Sequence, residues 1–125
     1  MSLHQKSELD QSALRDLFEL DSEGTVFCEV ANAFILQLQS HLPKLNVALT
    51  DKKSFEQIAG LAHLFKSSSA YIGATKFSQI CQLLEAEAKV SGQKVSALIQ
   101  ELMQEAPIIE RLLNDEIAKS KLKAG

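Results

Sequence analysis

The chain has 125 residues, a net charge of −3 and an apolar fraction of 46%, which together predict one globular domain and argue against a disordered chain. Its basic residues are scattered and have no interleaved aromatic side chains, so a basic nucleic-acid surface has no support. The longest apolar runs have about four residues, far below the roughly 20 that cross a bilayer. Few Gly and Pro residues and abundant Ala, Leu, Glu, Lys and Gln favour helices over sheets.

Apolar spacing and chain breaks predict the first three helices. The first is expected over about Asp10–Leu20 and the second over about Thr25–Leu49, where apolar side chains recur every three or four positions. A third helix is expected to begin near Lys53 or Ser54 and to end near Tyr71. No stretch of the chain carries a strand signal, so the pattern predicts an all-helical protein.

Two further helices are predicted over about Thr75–Val90 and about Val95–Leu122. Pro43 lies inside the second helix and Pro107 inside the last. Both prolines are expected to bend their helices, because a proline removes a hydrogen-bond donor and crowds the preceding turn. The lysine-rich segment Lys119–Lys123 is expected to fray into a solvated tail.

The short connections between these helices decide the predicted architecture. Long helices joined by short breaks pack antiparallel, so the predicted fold is all-α: an antiparallel four-helix bundle with a short additional N-terminal helix across one end. We expect one domain over residues 1–125, with its core over about 9–117 and frayed termini. The length and the first helix favour a free-standing protein.

The third helix places a histidine on the side opposite its apolar stripe. At about 100° per residue, the core side chains cluster within roughly 60° of one direction: Ile58, Leu61, Ala62, Phe65, Ser69 and Ile72. His63 lies about 140° from the centre of that stripe and is expected to face solvent. Its neighbours on the helix are small, although the glycine among them costs a helix about 1 kcal/mol relative to alanine: Ala59, Gly60, Ser67 and Ala70.

Lys66 is the one large neighbour of His63 on that face, three positions further along the helix. A cation beside an accessible imidazole suits the placement of a phosphoryl group on a ring nitrogen, because an ammonium group attracts phosphate oxygens. Each feature also has a plainer explanation. A surface histidine is usually incidental, a surface lysine is usually only solvated, and small residues also line the contact faces of helix–helix dimers.

Two blocks of the sequence resemble the signature of the histidine-containing phosphotransfer (HPt) domain family. That signature runs Ala-His-x-Leu-Lys-Gly-Ser, then Gly-Ala, then an apolar-x-x-x-Cys-x-x-Leu-Glu helix. Residues 62–74 match the first part in order and spacing, and the second part is matched by Phe77, Cys81, Leu84 and Glu85. Helix lengths fit from about residue 9 to residue 117.

The resemblance implies a role for each matching residue. His63 would accept the phosphoryl group through Nε2 and pass it on, and Lys66 would neutralise the phosphoryl oxygens. Glu85 would accept a hydrogen bond from Nδ1–H and so orient the imidazole. The alternative is that Glu85 is an ordinary surface glutamate. Lys89 stands where some members carry a basic residue that assists near the site. The alternative is that Lys89 is only a solvated lysine. Ser67 departs from the family pattern, which has glycine there, and adds a hydroxymethyl group beside the site.

The resemblance also implies the partners and the kind of activity. The protein would be a histidine phosphotransfer protein of a two-component phosphorelay, exchanging phosphate with receiver domains of response regulators and of hybrid histidine kinases. It would be a carrier without kinase activity, since no ATP-binding motif occurs. No cofactor is expected, and Mg²⁺ would belong to the receiver domain. The alternative is a helical-bundle adaptor that docks a signalling partner without phosphotransfer.

The remaining expectations concern the state of the protein in the cell. Cys28 and Cys81 match no metal or redox spacing, so we expect reduced thiols and the cytoplasm as the compartment. The polar segment from Met1 to Gln11 has no apolar stretch typical of a signal peptide. We expect a monomer with no metal site, no nucleic-acid partner and no insertion into a membrane.

Overall fold

A computed structural model describes residues 7–21, 23–49 and 55–124 of the chain. Within these ranges the secondary structure is entirely helical, in five elements: α1 (Gln11–Leu20), α2 (Thr25–Leu49), α3 (Phe55–Tyr71), α4 (Thr75–Val90) and α5 (Val95–Ala124). The all-α prediction is confirmed, and the predicted bounds of α2 and α4 agree to the residue. The predicted start of α3, at Lys53 or Ser54, lies outside the described residues.

The four long helices form a bundle in which each packs against two others. α3 and α4 share the largest interface, α5 packs against α4 and α2, and α2 closes the ring against α3. α1 is the additional helix and packs against α2. The connections 72–74 and 91–94 have three and four residues, short enough to make α3, α4 and α5 antiparallel to their neighbours in the chain.

Aromatic side chains fill the centre of the bundle and fix which face of α3 points inward. The Phe65 ring of α3 meets the Phe77 ring of α4 edge-on at 5.8 Å between centroids, and Phe34 of α2 meets Phe77 at the same distance. All three rings are buried. Such pairs contribute about 0.5–1.5 kcal/mol beyond the burial of their area. Because Phe65 is held inward, the opposite side of α3 is left to solvent.

The turn between α3 and α4 is closed by the segment that precedes α1. Gly73 has φ +86°, in the left-handed region that favours glycine, and its carbonyl accepts a hydrogen bond from the Asp10 backbone at 2.8 Å. A Cβ on Gly73 would lie 3.0 Å from the Asp10 carbonyl oxygen. The Asp10 side chain in turn caps α1 by accepting a hydrogen bond from the Ser12 amide. These contacts set how α4 leaves α3, and hence which residues of α4 face His63.

The predicted fraying of Lys119–Lys123 is wrong. α5 continues to Ala124, and Ser120 is buried against Gly24 at the start of α2. The Ser120 hydroxyl also lies 3.8 Å from the Cys28 sulfur. A lysine-rich helix end is solvated only when no other element packs against it. Here the start of α2 packs against Ser120.

The two prolines lie inside helices, as predicted. α2 includes Pro43 and α5 includes Pro107 without an interruption in either helix. The bends expected at these positions stay predictions. No helix among residues 7–21, 23–49 and 55–124 combines the length and the apolar character needed to span a membrane.

Candidate functional site

His63 projects from the solvent face of α3, where the helical wheel placed it. Its side chain is 64% exposed. Gly60, Ser67 and Ala70 are exposed around it, and a Cβ on Gly60 would meet nothing within 4 Å. The one departure is Ala59, which is buried and so does not belong to the open surface. Ala59 instead lines the groove between α3 and α4, which His63 also lines.

Glu85 of α4 holds the imidazole ring of His63. The Nδ1 atom of His63 lies 3.1 Å from Oε2 of Glu85, across the α3–α4 interface. An ionised carboxylate only accepts hydrogen bonds, so this contact requires the hydrogen of the neutral ring to be on Nδ1. The lone pair is then on Nε2, the ring nitrogen on the other side of the imidazole.

Two lysines bind the same carboxylate. Nζ of Lys66 lies 2.9 Å from Oε1 of Glu85, and Nζ of Lys89, one turn further along α4, lies 3.1 Å from Oε2. The hydrogen bond from Lys66, supported by that from Lys89, lowers the pKa of Glu85 to about 2 against the opposing effect of desolvation. Glu85 is therefore ionised at neutral pH, and the two ammonium groups and one carboxylate leave the cluster with a net charge of +1.

The α3–α4 interface beneath the cluster is fixed by a contact that sequence patterns did not indicate. The Ser78 hydroxyl of α4 donates a hydrogen bond of 2.9 Å to the backbone carbonyl of Lys66. Cys81 is fully buried in the same interface, and burial raises the pKa of its thiol. The Cys81 thiol therefore stays protonated and takes no part as a nucleophile. No spacing or motif points to Ser78, because its partner is a backbone atom of another helix.

The structure brings the predicted site residues together in one cluster: His63, Lys66, Glu85 and Lys89. Ser67 lies on the exposed surface one turn after the histidine. Within the part of the chain that the structure describes, no three His, Cys, Asp or Glu side chains come together in a way that would hold a metal ion. The arrangement offers an oriented nucleophilic nitrogen beside a net positive charge, which suits the transfer of an anionic group.

A family model, that of the Hpt domain, matches residues 29–121 of the chain. The chain belongs to the Hpt domain family. The family predicted from residues 62–74 is thus confirmed. As a member of this family, the protein is a phosphotransfer protein of two-component phosphorelays, in which Hpt domains typically carry phosphoryl groups and interact with receiver domains.

A solved structure is also similar to this HPt domain over most of both chains. The crystal structure of histidine-containing phosphotransfer protein B (HptB) from Pseudomonas aeruginosa PAO1 is 27% identical in sequence and has a TM-score of 0.81. The similarity covers 89% of this chain and 95% of that one. A search of the curated proteins finds no match.

Proposed function

We propose that this HPt domain accepts a phosphoryl group on His63 from receiver-domain aspartates and donates it back to such aspartates. The observation that carries the proposal is the contact of 3.1 Å between His63 Nδ1 and Glu85, on an imidazole that is 64% exposed. This contact orients the ring so that Nε2 keeps its lone pair. An incidental surface histidine has no need of such a partner on a neighbouring helix.

The transfer step follows from that orientation. The Nε2 lone pair of His63 attacks the phosphorus of an aspartyl phosphate on the receiver domain, and an N–P bond forms. The P–O bond to the aspartate breaks, and the aspartate leaves as a carboxylate with the electron pair. The ring keeps its hydrogen on Nδ1 and becomes cationic, so the carboxylate of Glu85 stabilises the product. The reverse step returns the phosphoryl group to an aspartate.

Lys66 supplies positive charge for the phosphoryl oxygens. Its ammonium group has three hydrogens to donate and uses one of them in the contact of 2.9 Å with Glu85. The side chain lies on the same face of α3 as His63 and one turn further along the helix. An incoming phosphoryl group would therefore meet a cation that is already positioned.

Receiver domains of response regulators and of hybrid histidine kinases are the partners we propose, with Mg²⁺ held by the receiver. Small side chains around His63 leave room for a loop of the partner, and two large apolar side chains on α3, Leu64 and Tyr71, are exposed beside them. Transient signalling complexes of this kind bury modest areas. The free thiols of Cys28 and Cys81 support the cytoplasm as the compartment.

Transfer from a phosphorylated receiver domain tests this proposal. We expect a mass increase of about 80 Da that is labile to acid and stable to base, on the native protein and absent from His63→Gln. Binding of the receiver without any adduct would instead favour the adaptor, a bundle that docks a partner without chemistry. The His63→Gln variant must show the far-ultraviolet circular dichroism of the native protein for the comparison to count.

A further inference from the structure

Ser67 lies beside His63 at a position where the family pattern has glycine, so the resemblance implies no role for its hydroxyl group. The Ser67 side chain is exposed on the same face of α3 as His63, four positions further along the helix. Side chains at this spacing are neighbours, with Cβ atoms about 5–6 Å apart. The hydroxyl of Ser67 is therefore next to the imidazole that would carry the phosphoryl group.

The Ser67 hydroxyl differs from those of the two serines that follow it. The Ser68 hydroxyl lies 3.2 Å from the carbonyl oxygen of Leu64, and the Ser69 hydroxyl donates to the carbonyl oxygen of Phe65. A serine inside a helix either makes such a bond to the preceding turn or points to solvent. Among the residues that the structure describes, Ser67 finds no hydrogen-bond partner for its hydroxyl. That hydroxyl is thus available to a ligand.

The backbone beside Ser67 is held by the side chains of two other serines. The carbonyl oxygen of Lys66 accepts a hydrogen bond of 2.9 Å from Ser78 of α4 and lies 3.2 Å from the hydroxyl of Ser69, which is fully buried. Because this turn of α3 is fixed, placing the Ser67 hydroxyl on a ligand restricts only the rotation about one side-chain bond.

Lys66 and Ser67 lie on opposite sides of His63 around the helix. At about 100° per residue, Lys66 is rotated about 60° from His63 in one direction and Ser67 about 40° in the other. α4 is on the side of Lys66, because Lys66 and His63 Nδ1 both contact Glu85 of that helix. Since Nδ1 is turned toward α4, Nε2 points outward and away from α4, which is the side of Ser67. A phosphoryl group on Nε2 is therefore expected between the ammonium group and the hydroxyl.

Few side chains of α3 can donate a hydrogen bond on the side away from α4. The neighbours of His63 on that side within one turn are Gly60, Leu64 and Ser67, and only Ser67 is polar. A transferring phosphoryl group spreads negative charge over three oxygens. Lys66 approaches from the other side and already donates to Glu85 at 2.9 Å. A phosphoryl oxygen that is turned away from Lys66 would thus have Ser67 as its nearest donor on α3.

We propose that the Ser67 hydroxyl binds the phosphoryl group on His63 by donating a hydrogen bond to one of its oxygens, on the side opposite to Lys66. The inference rests on the proposed role of His63. A hydroxyl that donates to an anionic oxygen forms a charge-assisted hydrogen bond, which is stronger than one between neutral groups. Ser67 would thereby stabilise the phosphorylated form of the protein and speed its formation.

The test uses phosphoramidate, a small phosphoryl donor that needs no partner protein. The Nε2 lone pair of His63 forms the N–P bond, the P–N bond of phosphoramidate breaks, and ammonia leaves with the electron pair. We expect Ser67→Ala and Ser67→Gly to lower the rate of His63 phosphorylation equally, by about threefold to tenfold, because both lack the hydroxyl. The control is Ser96→Ala, at an exposed serine of α5, which packs against α2 and α4. It should react at the native rate.

A second measurement follows the hydrogen bond on the phosphorylated protein. The phosphorus-31 chemical shift of the phosphohistidine reports the titration of its phosphoryl group. A hydrogen bond to the more highly charged form lowers the pKa of that group, so Ser67→Ala and Ser67→Gly should both raise this pKa above that of the native protein. Ser96→Ala should leave it unchanged. A serine that only supported the helix would not alter the titration. Each variant must show the circular dichroism of the native protein.

Each outcome supports or overturns one of the two proposals. Native rates and an unchanged phosphoryl titration in both Ser67 variants would overturn the role of Ser67. A loss of rate in only one of the two variants would also overturn it, because both lack the hydroxyl. If the native protein forms no phosphohistidine with either phosphoramidate or a receiver domain, the proposed function fails and this inference fails with it. Phosphorylation of the native protein with unaffected Ser67 variants leaves the proposed function standing alone.

Discussion

Two glutamates of this HPt domain each pair with a lysine of a neighbouring helix, but they differ in their surroundings. Glu85 on α4 pairs with Lys66 at 2.9 Å and reaches the exposed His63. Glu105 on α5 pairs with Lys76 at 3.6 Å and accepts a hydrogen bond of 2.8 Å from Ser7. The first carboxylate contacts an imidazole that is exposed to solvent. The second is covered by the segment that leads into α1.

The two clusters differ in their access to solvent rather than in the types of residue they contain. The Glu105 side chain is 5% exposed, and its Oε1 atom accepts no hydrogen bond from the residues that the structure describes. Burying a carboxylate costs free energy unless it is paired, so the folded state depends on the contacts of Glu105 with Lys76 and Ser7. Glu85 has three donors within 3.1 Å, and two of them, His63 and Lys89, reach the surface. Substitutions in the two clusters should therefore affect different properties of the protein.

The largest expected effect is the loss of phosphorylation in His63→Gln. No adduct should form with phosphoramidate, because the nucleophilic nitrogen is gone. The melting temperature should fall by no more than about 2 °C, since substitutions of exposed side chains cost little. Mass spectrometry and thermal melting followed by circular dichroism measure the two properties. A melting temperature lowered by more than about 5 °C would show that the imidazole contributes to the core.

The second cluster should give the opposite result. Lys76→Met leaves the buried Glu105 without its cation and should lower the free energy of unfolding by about 2–4 kcal/mol. The rate of His63 phosphorylation at a temperature where the variant is folded should not change. Urea denaturation and the phosphoramidate assay test this pair of results. The double variant Lys76→Met with Glu105→Met is the control and should recover much of the loss, because no unpaired charge stays buried.

Lys66→Ala should slow phosphorylation by about tenfold to a hundredfold without abolishing it. The nucleophile and its Glu85 contact survive, while the nearest positive charge for the phosphoryl oxygens is lost. Single-turnover transfer from a phosphorylated receiver domain measures the effect. A rate equal to that of the native protein would remove Lys66 from the mechanism and leave its contact with Glu85 as a structural ion pair.

Gly60→Ala sharpens the contrast between access and stability. A Cβ at this position would meet nothing within 4 Å, so alanine should raise the free energy of unfolding by about 0.5–1 kcal/mol through its better helix propensity. Transfer from a receiver domain should slow severalfold, whereas phosphorylation by phosphoramidate should not change. If both donors react at native rates, the open surface around Gly60 is not needed for docking.

The smallest expected effect is a loss of stability of the folded protein at acidic pH. The pKa of Glu85 is lowered to about 2, chiefly by Lys66, so its ion pairs stabilise the folded state above the pKa of an unfolded glutamate, near 4.5. This contribution should be lost as the pH falls from about 4.5 towards 2. The difference in unfolding free energy between the native protein and Glu85→Gln should narrow as the pH falls below about 4.5. A difference that does not vary between pH 6 and pH 3 would mean that Glu85 gains nothing from its lysines.

Much of the fold was predictable because helical periodicity is a local property. The spacing of Ile58, Ala62 and Phe65 along the chain determines which side of α3 is apolar, and this places His63 on the opposite side. Gly73 and its neighbours mark the end of α3 for a similarly local reason. The family motif then predicted Glu85 as the partner of the imidazole, and the contact of 3.1 Å accords with it.

Properties that depend on distant neighbours were not predictable. Ser120 looked like part of a solvated tail, but α2 covers it, and Ala59 looked like part of an open surface, but α4 covers it. The hydrogen bond from Ser78 to the backbone of Lys66 joins residues on different helices and follows from no spacing. Each of these contacts depends on how two helices lie against each other.

The sequence by itself determined the helices, the exposed face of α3 and the place of His63 on that face, because each depends on residues within a few turns. Only the tertiary structure decided that one carboxylate would hold His63, Lys66 and Lys89 together. The charge state of the site depends on distances of about 3 Å between side chains of α3 and α4. Those distances are set by the packing of Phe65 against Phe77 and by the hydrogen bond from the Asp10 backbone to the Gly73 carbonyl, which no local pattern specifies.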